Sequence, residues 1–139
     1  MKTHRVVQMI LIGMIGILFI SSGWAAGSGR TIVLESTPEH PDAKGTAMID
    51  KSRISLQAQG LKPEAVYTVW FVNMTPKKSE TGAGTAPYMF RTDKSGNGSY
   101  SAPLNGEPFG RWSMIMVVLH PNHDPKDMKH MVGALKAPL

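Results

Sequence analysis

After the first 25 residues, the densest run of β-branched and aromatic side chains lies at positions 65–73, which read Ala-Val-Tyr-Thr-Val-Trp-Phe-Val-Asn. Side chains alternate between the two faces of a strand, so Tyr67, Val69 and Phe71 share one face and Trp70 lies on the other. Both faces are largely apolar. The pattern therefore predicts a strand in the middle of a sheet, with the core on one face and a covering loop or hairpin on the other.

Shorter apolar or alternating segments flank this central strand, separated by turns rich in glycine, proline and asparagine. No segment after the N-terminal run shows a sustained 3.6-residue apolar period, so helices are not expected. The flanking strands are predicted at residues 31–34, 46–50, 54–58, 88–92, 98–102, 112–119 and 131–135. Seven or eight short strands of this kind predict an all-β fold, an antiparallel β-sandwich formed as a single domain by residues 26–139.

The connection between the central strand and the next one, residues 75–86, is long and polar. Proline, lysine, serine and glycine dominate it, and it has no apolar anchor between Met74 and Ala83. We expect this segment to be a solvated loop that is more mobile than the strands on either side of it.

The first 25 residues have the three parts of a secretory signal peptide. Lys2 and Arg5 precede an apolar run over residues 6–20, and small residues follow that run up to Ala25. We expect cleavage after Ala25, which places the mature domain in the periplasm or outside the cell without a membrane span. The alternative is an uncleaved anchor in the inner membrane, because the apolar run approaches the roughly 20 residues that a spanning helix needs.

The charge and the absence of cysteine exclude several functions. The formal charge of +5 falls to +3 when Lys2 and Arg5 are removed with the leader, and no cluster of Lys and Arg is interleaved with aromatic residues. Nucleic acid is therefore not an expected partner. With no cysteine in the chain, thiol catalysis, thiolate metal sites and covalent haem attachment are excluded.

Six short motifs within residues 54–136 carry a resemblance to a known family. They are Gly60-Leu61-Lys62-Pro63, Tyr67-Thr68-Val69-Trp70-Phe71-Val72, Gly84-Thr85, Asp93-Lys94-Ser95-Gly96-Asn97-Gly98, Val117-Val118-Leu119 and Val132-Gly133-Ala134-Leu135. In this order they resemble the extracytoplasmic C-terminal domain of the anti-sigma-K factor family. The resemblance implies an immunoglobulin-like sandwich outside the membrane. Residues 1–5 hold no counterpart of the family's sigma-binding module, so its regulatory activity is not expected here.

One polar segment near the C-terminus, residues 120–131, has the composition of a metal site. It contains three histidines, two methionines and two aspartates, and imidazole together with thioether suits copper, most clearly Cu(I). We therefore consider an extracytoplasmic copper or zinc site, to which His40 could also contribute. The alternative is a solvated loop without metal, since two lysines place positive charge among the candidate ligands. Those ligands are His120, His123, Met128, His130 and Met131.

The sequence shows no catalytic constellation. The serines lie in turn-like contexts without a Gly-x-Ser-x-Gly motif, and no phosphate-binding glycine motif is present. We therefore predict a non-catalytic module for binding or envelope assembly, without a cofactor, whose partner is another envelope protein or a surface ligand. Copper or zinc binding is the alternative function.

The large aromatic residues have two interpretations. Trp70, Trp112 and Tyr67 are expected in the core, with at least one tryptophan buried between the two sheets. The alternative is an exposed aromatic platform for a sugar or a peptide.

Overall fold

The computed structural model describes residues 29–139, so the predicted signal peptide, residues 1–25, lies outside the described residues. Residues 29–139 form nine strands and no helix, which confirms the all-β prediction. A helical membrane span is not found among them. The strands are β1 (Arg30–Ser36), β2 (Lys44–Ile49), β3 (Arg53–Gln59), β4 (Val66–Asn73), β5 (Ser79–Gly82), β6 (Met89–Arg91), β7 (Gly98–Pro103), β8 (Met114–His120) and β9 (Val132–Pro138).

The strands form one antiparallel sheet that curls around its own core. The order of hydrogen-bonded neighbours is β5-β4-β8-β9-β1-β2-β3-β7, and β6 pairs with β4 on the same edge as β5. Strand β1 changes partner along its length, because residues 30–34 pair with β2 whereas Glu35 and Ser36 pair with β9. This strand therefore joins two ladders, β1-β2-β3-β7 and β9-β8-β4-β5.

Strand β4 lies inside the second ladder and loses water on both faces, as its sequence predicts. Its core face carries Tyr67, Val69 and Phe71, all of which are buried. Its outer face is also closed, apart from Trp70, which is half-buried. The buried residues of the outer face are Val66, Thr68 and Val72.

A single apolar cluster fills the inside of the curled sheet, and every strand except β5 contributes to it. Burying one large apolar side chain stabilises the folded state by about 1.5–3 kcal/mol relative to leaving it in water. Because the chain has no cysteine, this cluster and the ladder hydrogen bonds hold the fold without disulfides. The largest fully buried members are Tyr67, Ile49, Ile54, Leu56, Ile115 and Leu135.

The segment 75–86 departs from its prediction, because it contains strand β5. Ser79–Gly82 pairs with residues 70–73 of β4. The strand is polar and mostly exposed, and it adds nothing to the apolar cluster. Hydrophobic alternation does not reveal such a strand, since only its backbone is paired.

The tryptophans also differ from the expectation. Trp70 and Trp112 are both half-buried, so neither is enclosed in the core. Tyr67 takes the central position instead and stacks on Phe90, with ring centroids 5.6 Å apart. A phenol fits there because its hydroxyl accepts the backbone N–H of Lys62 at 2.9 Å.

Candidate functional site

His120 ends strand β8 and points into the protein, with 1% of its surface exposed. Its Nε2 lies 2.7 Å from Thr68 Oγ1, and the same hydroxyl accepts the indole N–H of Trp70 at 2.7 Å. Among residues 29–139 the Thr68 hydroxyl has no other acceptor for its own proton, so it donates that proton to His120 Nε2. Neutral His120 therefore carries its ring proton on Nδ1, which has no hydrogen-bond partner among residues 29–139.

The segment that follows, residues 121–131, folds back over the His120 ring, and we call it the His/Met loop. Burial lowers the pKa of His120 below its usual 6.5, and nearby backbone oxygens of Asp127 and Asp124 only partly oppose this effect. The ring is thus held neutral inside the protein.

Asp127 organises the exposed part of the His/Met loop. Its Oδ2 accepts a hydrogen bond from His130 Nδ1 at 2.7 Å and another from the Asn122 amide, while Oδ1 accepts the backbone N–H of Lys129. The bond from His130 is the main cause that lowers the pKa of Asp127 to about 2. His130 Nε2 faces solvent, because 71% of the side-chain surface is exposed.

The five predicted metal ligands therefore have different surroundings. His120 is inside, whereas His123, Met128 and His130 are exposed and Met131 is half-buried. Within residues 29–139, no three His, Cys, Asp or Glu side chains are grouped so as to hold a metal ion. The copper or zinc site stays a prediction.

His40 is the second buried histidine, and it lies on the core face of β4. Its Nε2 is 3.1 Å from Tyr67 Oη, the oxygen that accepts the Lys62 N–H. The phenol therefore donates its proton to Nε2, and Nδ1 of His40 has no partner among the described residues. Burial, followed by the charge of Lys62, lowers the pKa of His40. Strand β4 separates this ring from His120, so the two do not share a ligand.

Strand β6 and the residues that follow β5 meet β7 along a seam. Tyr100 of β7 donates its hydroxyl proton to the carbonyl oxygen of Ala83, which directly follows β5, at 2.5 Å. Gly84 has a φ of +104° and approaches β7 so closely that an added Cβ would lie 2.4 Å from Ala102 Cβ. No side chain fits there, so glycine at position 84 permits the seam to close.

Beside this closure lies a cleft of about 340 Å³, which we call the seam cleft. Thr81, Gly82 and Tyr88 line one wall, and the connection between β7 and β8 lines the other. The volume falls within the range of about 300–1,000 Å³ that is typical of small-molecule sites. The connection contributes Asn105, Glu107, Arg111 and Trp112 to the lining.

Tyr88 has an unusual backbone conformation at the first wall. Its φ is 64°, in the left-handed region that bulky residues rarely adopt. Its N–H donates to the Thr85 carbonyl oxygen at 2.8 Å, and its own carbonyl accepts the Val69 N–H at 3.0 Å. The ring lies over Gly82, where an added Cβ would be 2.2 Å from it, and 5.4 Å from the Trp70 ring. This wall is therefore fixed, and it depends on glycine at position 82.

Asn73, at the end of β4, fixes the opposite wall. Its Nδ2 donates to the Arg111 carbonyl oxygen at 2.9 Å, and its Oδ1 accepts the Ser113 N–H at 2.8 Å. These two bonds clamp the backbone on both sides of Trp112, whose own N–H donates to the Pro108 carbonyl oxygen at 3.0 Å. Backbone contacts thus set the position of Trp112 before any ligand arrives.

Asn105, Glu107 and Arg111 place polar groups at the cleft. All three residues are exposed, and their side chains form no hydrogen bond or ion pair with another residue of the range 29–139. The Arg111 guanidinium lies near the loop backbone, since an added Cβ on Gly106 would be 3.5 Å from its Nη1. Sequence reasoning singled out Trp112 but missed these three residues. The sequence feature that could have identified them is the segment 104–112, in which polar and aromatic residues are interspersed with glycines.

A wider groove of about 910 Å³ lies over the β2-β3-β7 part of the first ladder. Exposed polar side chains line much of it, among them Thr46, Gln57 and Ser99, and no aromatic residue takes part. Such a lining is typical of the solvated face of an antiparallel sheet. The seam cleft, which combines aromatic and polar groups, is the stronger candidate site.

Comparisons with known proteins identify no relative. No protein-family model, curated protein or solved structure matches the chain. The candidate site therefore rests on its geometry.

Proposed function

We propose that this protein is a non-catalytic, extracytoplasmic binding module with an immunoglobulin-like β-sandwich fold, and that its ligand occupies the seam cleft. One observation carries this proposal: Trp112, held in place by backbone contacts, stands beside three polar side chains that have no partner within residues 29–139. This composition suits a ligand that offers both an apolar face and hydrogen-bonding groups. The ligand is a component of the cell envelope, either a protein or a surface molecule.

Strand β1 supports the sandwich. It passes from one ladder to the other at Glu35, which allows the two ladders to face each other across the single apolar cluster. The similarity of residues 54–136 to the anti-sigma-K factor domain implies the same fold and a location outside the membrane. The signal-like residues 1–25 support that location.

The location has a direct test. Export should remove residues 1–25, so mass spectrometry of protein recovered from the periplasm or the medium should find Ala26 at the N-terminus. A chain that keeps Met1 and sediments with the inner membrane would instead support the uncleaved anchor.

The buried pair of Thr68 and His120 supports a role without catalysis. A hydroxyl 2.7 Å from an imidazole nitrogen resembles a nucleophile and its base. Thr68 is 0% exposed, however, and its hydroxyl is already engaged by Trp70 and His120. A substrate has no access to this oxygen, so we assign the pair to structure.

Two matched variants on one strand test the cleft. Thr81 faces the cleft from β5, whereas Glu80 points to the opposite face of the same strand, and both are exposed. Thr81→Trp fills the cleft and should abolish ligand binding, while Glu80→Trp should leave binding unchanged. The measurement is the shift of backbone amide resonances on titration with a panel of peptides and saccharides. Binding that survives Thr81→Trp, or a panel that shifts no amide around the cleft, would refute the proposal.

Metal binding by the His/Met loop is the second candidate, and the contact between Asp127 and His130 favours it. Histidines that bind metals almost always donate their other ring N–H to a carboxylate, a backbone carbonyl or water, as His130 does to Asp127. The exposed His130 Nε2 would then act with His123, Met128 and Met131 on copper or zinc.

A further inference from the structure

The polar lining of the seam cleft has no net charge. Glu107 and Arg111 carry opposite charges, and Asn105 is neutral. A ligand selected by its charge, such as a phosphate or a polyanion, gains little from such a lining. A neutral ligand rich in hydroxyl groups gains more, because the carboxylate accepts hydrogen bonds, the guanidinium donates them and the amide does both.

The apolar part of the lining includes the rings of Phe71 and Trp112. Trp112 packs against the apolar cluster yet remains half-buried, whereas the Tyr88 ring lies against Trp70 on the outer face of the sheet. A sugar ring presents C–H groups on its faces and hydroxyl groups around its rim. It therefore needs an aromatic surface bordered by hydrogen-bonding side chains, which is the arrangement of this cleft.

We propose that the seam cleft binds an uncharged saccharide, with one sugar ring against Trp112 and its hydroxyl groups hydrogen-bonded to Asn105, Glu107 and Arg111. This inference rests on the proposed function, since it names the ligand class of the same cleft. The clamp of Asn73 on the backbone around Trp112 makes the site rigid before binding. Rigidity favours affinity because little conformational entropy is lost when the ligand enters.

A peptide suits the cleft less well. A peptide that added a strand at this edge would pair with the backbone of Ser79–Gly82, only four residues. The carbonyl oxygen of Ala83, at the end of that edge, is already bound by Tyr100. Backbone pairing would also leave the side chains of Glu107 and Arg111 without partners.

The test is a titration of the purified protein with neutral mono- and oligosaccharides of glucose, galactose, mannose and N-acetylglucosamine. Amide resonances locate the binding site, and tryptophan fluorescence measures affinity. In protein cleaved after Ala25, which lacks Trp24, Trp70→Phe removes the tryptophan of the outer face and leaves Trp112 as the reporter, so this control should bind as the parent does. Trp112→Phe should lower the affinity and abolish the fluorescence change.

Because Trp112 also packs against the core, a second variant keeps the test independent of folding. Glu107→Gln changes one exposed group and should weaken saccharide binding by about tenfold or more, as expected when a hydrogen bond to a charged group is lost. If millimolar saccharide shifts no amide resonance at the cleft while a peptide does, the proposal of a saccharide ligand is wrong and the proposed function stands. If neither shifts them, both proposals fall.

Discussion

The two buried histidines and the exposed His/Met loop use the same residue type in opposite ways. His40 and His120 each accept a proton from a hydroxyl, that of Tyr67 or Thr68, on the two faces of β4. His130 lies in solvent and donates to a carboxylate of its own loop. The buried ring of His40 therefore links a loop to β4 and that of His120 links β8 to β4, whereas the exposed ring of His130 leaves its Nε2 in solvent.

The buried histidines act as acceptors because a buried hydroxyl needs an acceptor for its own proton. Tyr67 and Thr68 each already accept an N–H, from Lys62 or Trp70. Each hydroxyl then needs an acceptor for its own proton, and a neutral imidazole nitrogen provides one. Each ring keeps an Nδ1 atom without a partner among residues 29–139, and burial makes protonation of either ring unfavourable.

The largest expected effect comes from removing one of these hydroxyls. Tyr67→Phe leaves both the Lys62 N–H and His40 Nε2 unpaired, and each such group costs about 1–3 kcal/mol, so we expect a loss of about 2–6 kcal/mol. Urea unfolding measures it. The control His123→Ala changes an exposed ring and should stay within about 0.5 kcal/mol of the parent. A Tyr67→Phe protein as stable as the parent would contradict the role of the buried pair.

Metal binding is expected to act through the exposed rings alone. At a hundredfold excess over its dissociation constant, Cu(I) should stabilise the folded protein by about 2.7 kcal/mol. The variant His123→Ala/His130→Ala should lose this stabilisation while keeping the fold, because both residues are exposed. Melting temperatures with and without Cu(I), Cu(II) and Zn(II) provide the measurement. Equal melting temperatures for the parent would rule out the site.

A smaller loss is expected from the hydroxyl on the outer face. Thr68→Val keeps the shape of the side chain but leaves His120 Nε2 unpaired, which should cost about 1–2 kcal/mol. The effect is smaller than for Tyr67→Phe because Trp70 is half-buried and its indole N–H can turn to water. Equal losses for the two variants, measured by urea unfolding, would show that the two faces of β4 are equivalent.

The pH dependence of stability should separate the two kinds of histidine. Burial lowers the pKa of both His40 and His120 below 6.5, so the unfolded chain takes up protons first as the pH falls. Their contribution is complete above about pH 6.5 and declines as the pH falls towards the lowered values. His123→Ala should leave this decline unchanged. Stability that is flat between about pH 7 and pH 5 would contradict burial of the neutral rings.

The smallest effect on stability is expected from Asp127→Asn, because this carboxylate is close to the surface. The pKa of Asp127 is lowered to about 2, so its contribution is present above 3.8 and is lost as the pH falls towards 2. The variant should lack this acid-dependent loss. It should also reduce any metal affinity of the loop by about 10- to 100-fold, since the carboxylate orients His130. An unchanged metal titration would exclude that orienting role.

The core strands were predictable because the pattern of apolar and polar residues along each strand shows which side chains are buried. Residues 65–73 are apolar on both faces, and the alternation at residues 54–58 matches β3, so the pattern reports which face meets the core. Strand β5 has no such apolar pattern, since its residues are polar and only its backbone pairs with β4. The prediction of a loop there was wrong for that reason.

The two candidate sites differ in the same way, because the sequence predicts one of them and does not predict the other. Composition was enough to single out the His/Met loop, because its histidines and methionines are neighbours in the chain. The sequence did not reveal the seam cleft, because Asn73, Tyr88 and residues 105–112 are distant in the chain and meet only in the folded sheet. The fit of that seam depends on Gly84, which in the sequence is one glycine among 14.

His120 combines one feature that the sequence predicts with others that only the tertiary structure decides. Its place at the end of an apolar strand follows from residues 112–119, since alternation along a strand is a local property with a period of two. Its burial and its neutral ring follow from the return of residues 124–127 over the ring and from Thr68 on the neighbouring strand. The order of residues along the chain decides which side chains are buried. Long-range contacts decide which polar groups meet once burial of the apolar side chains has folded the sheet.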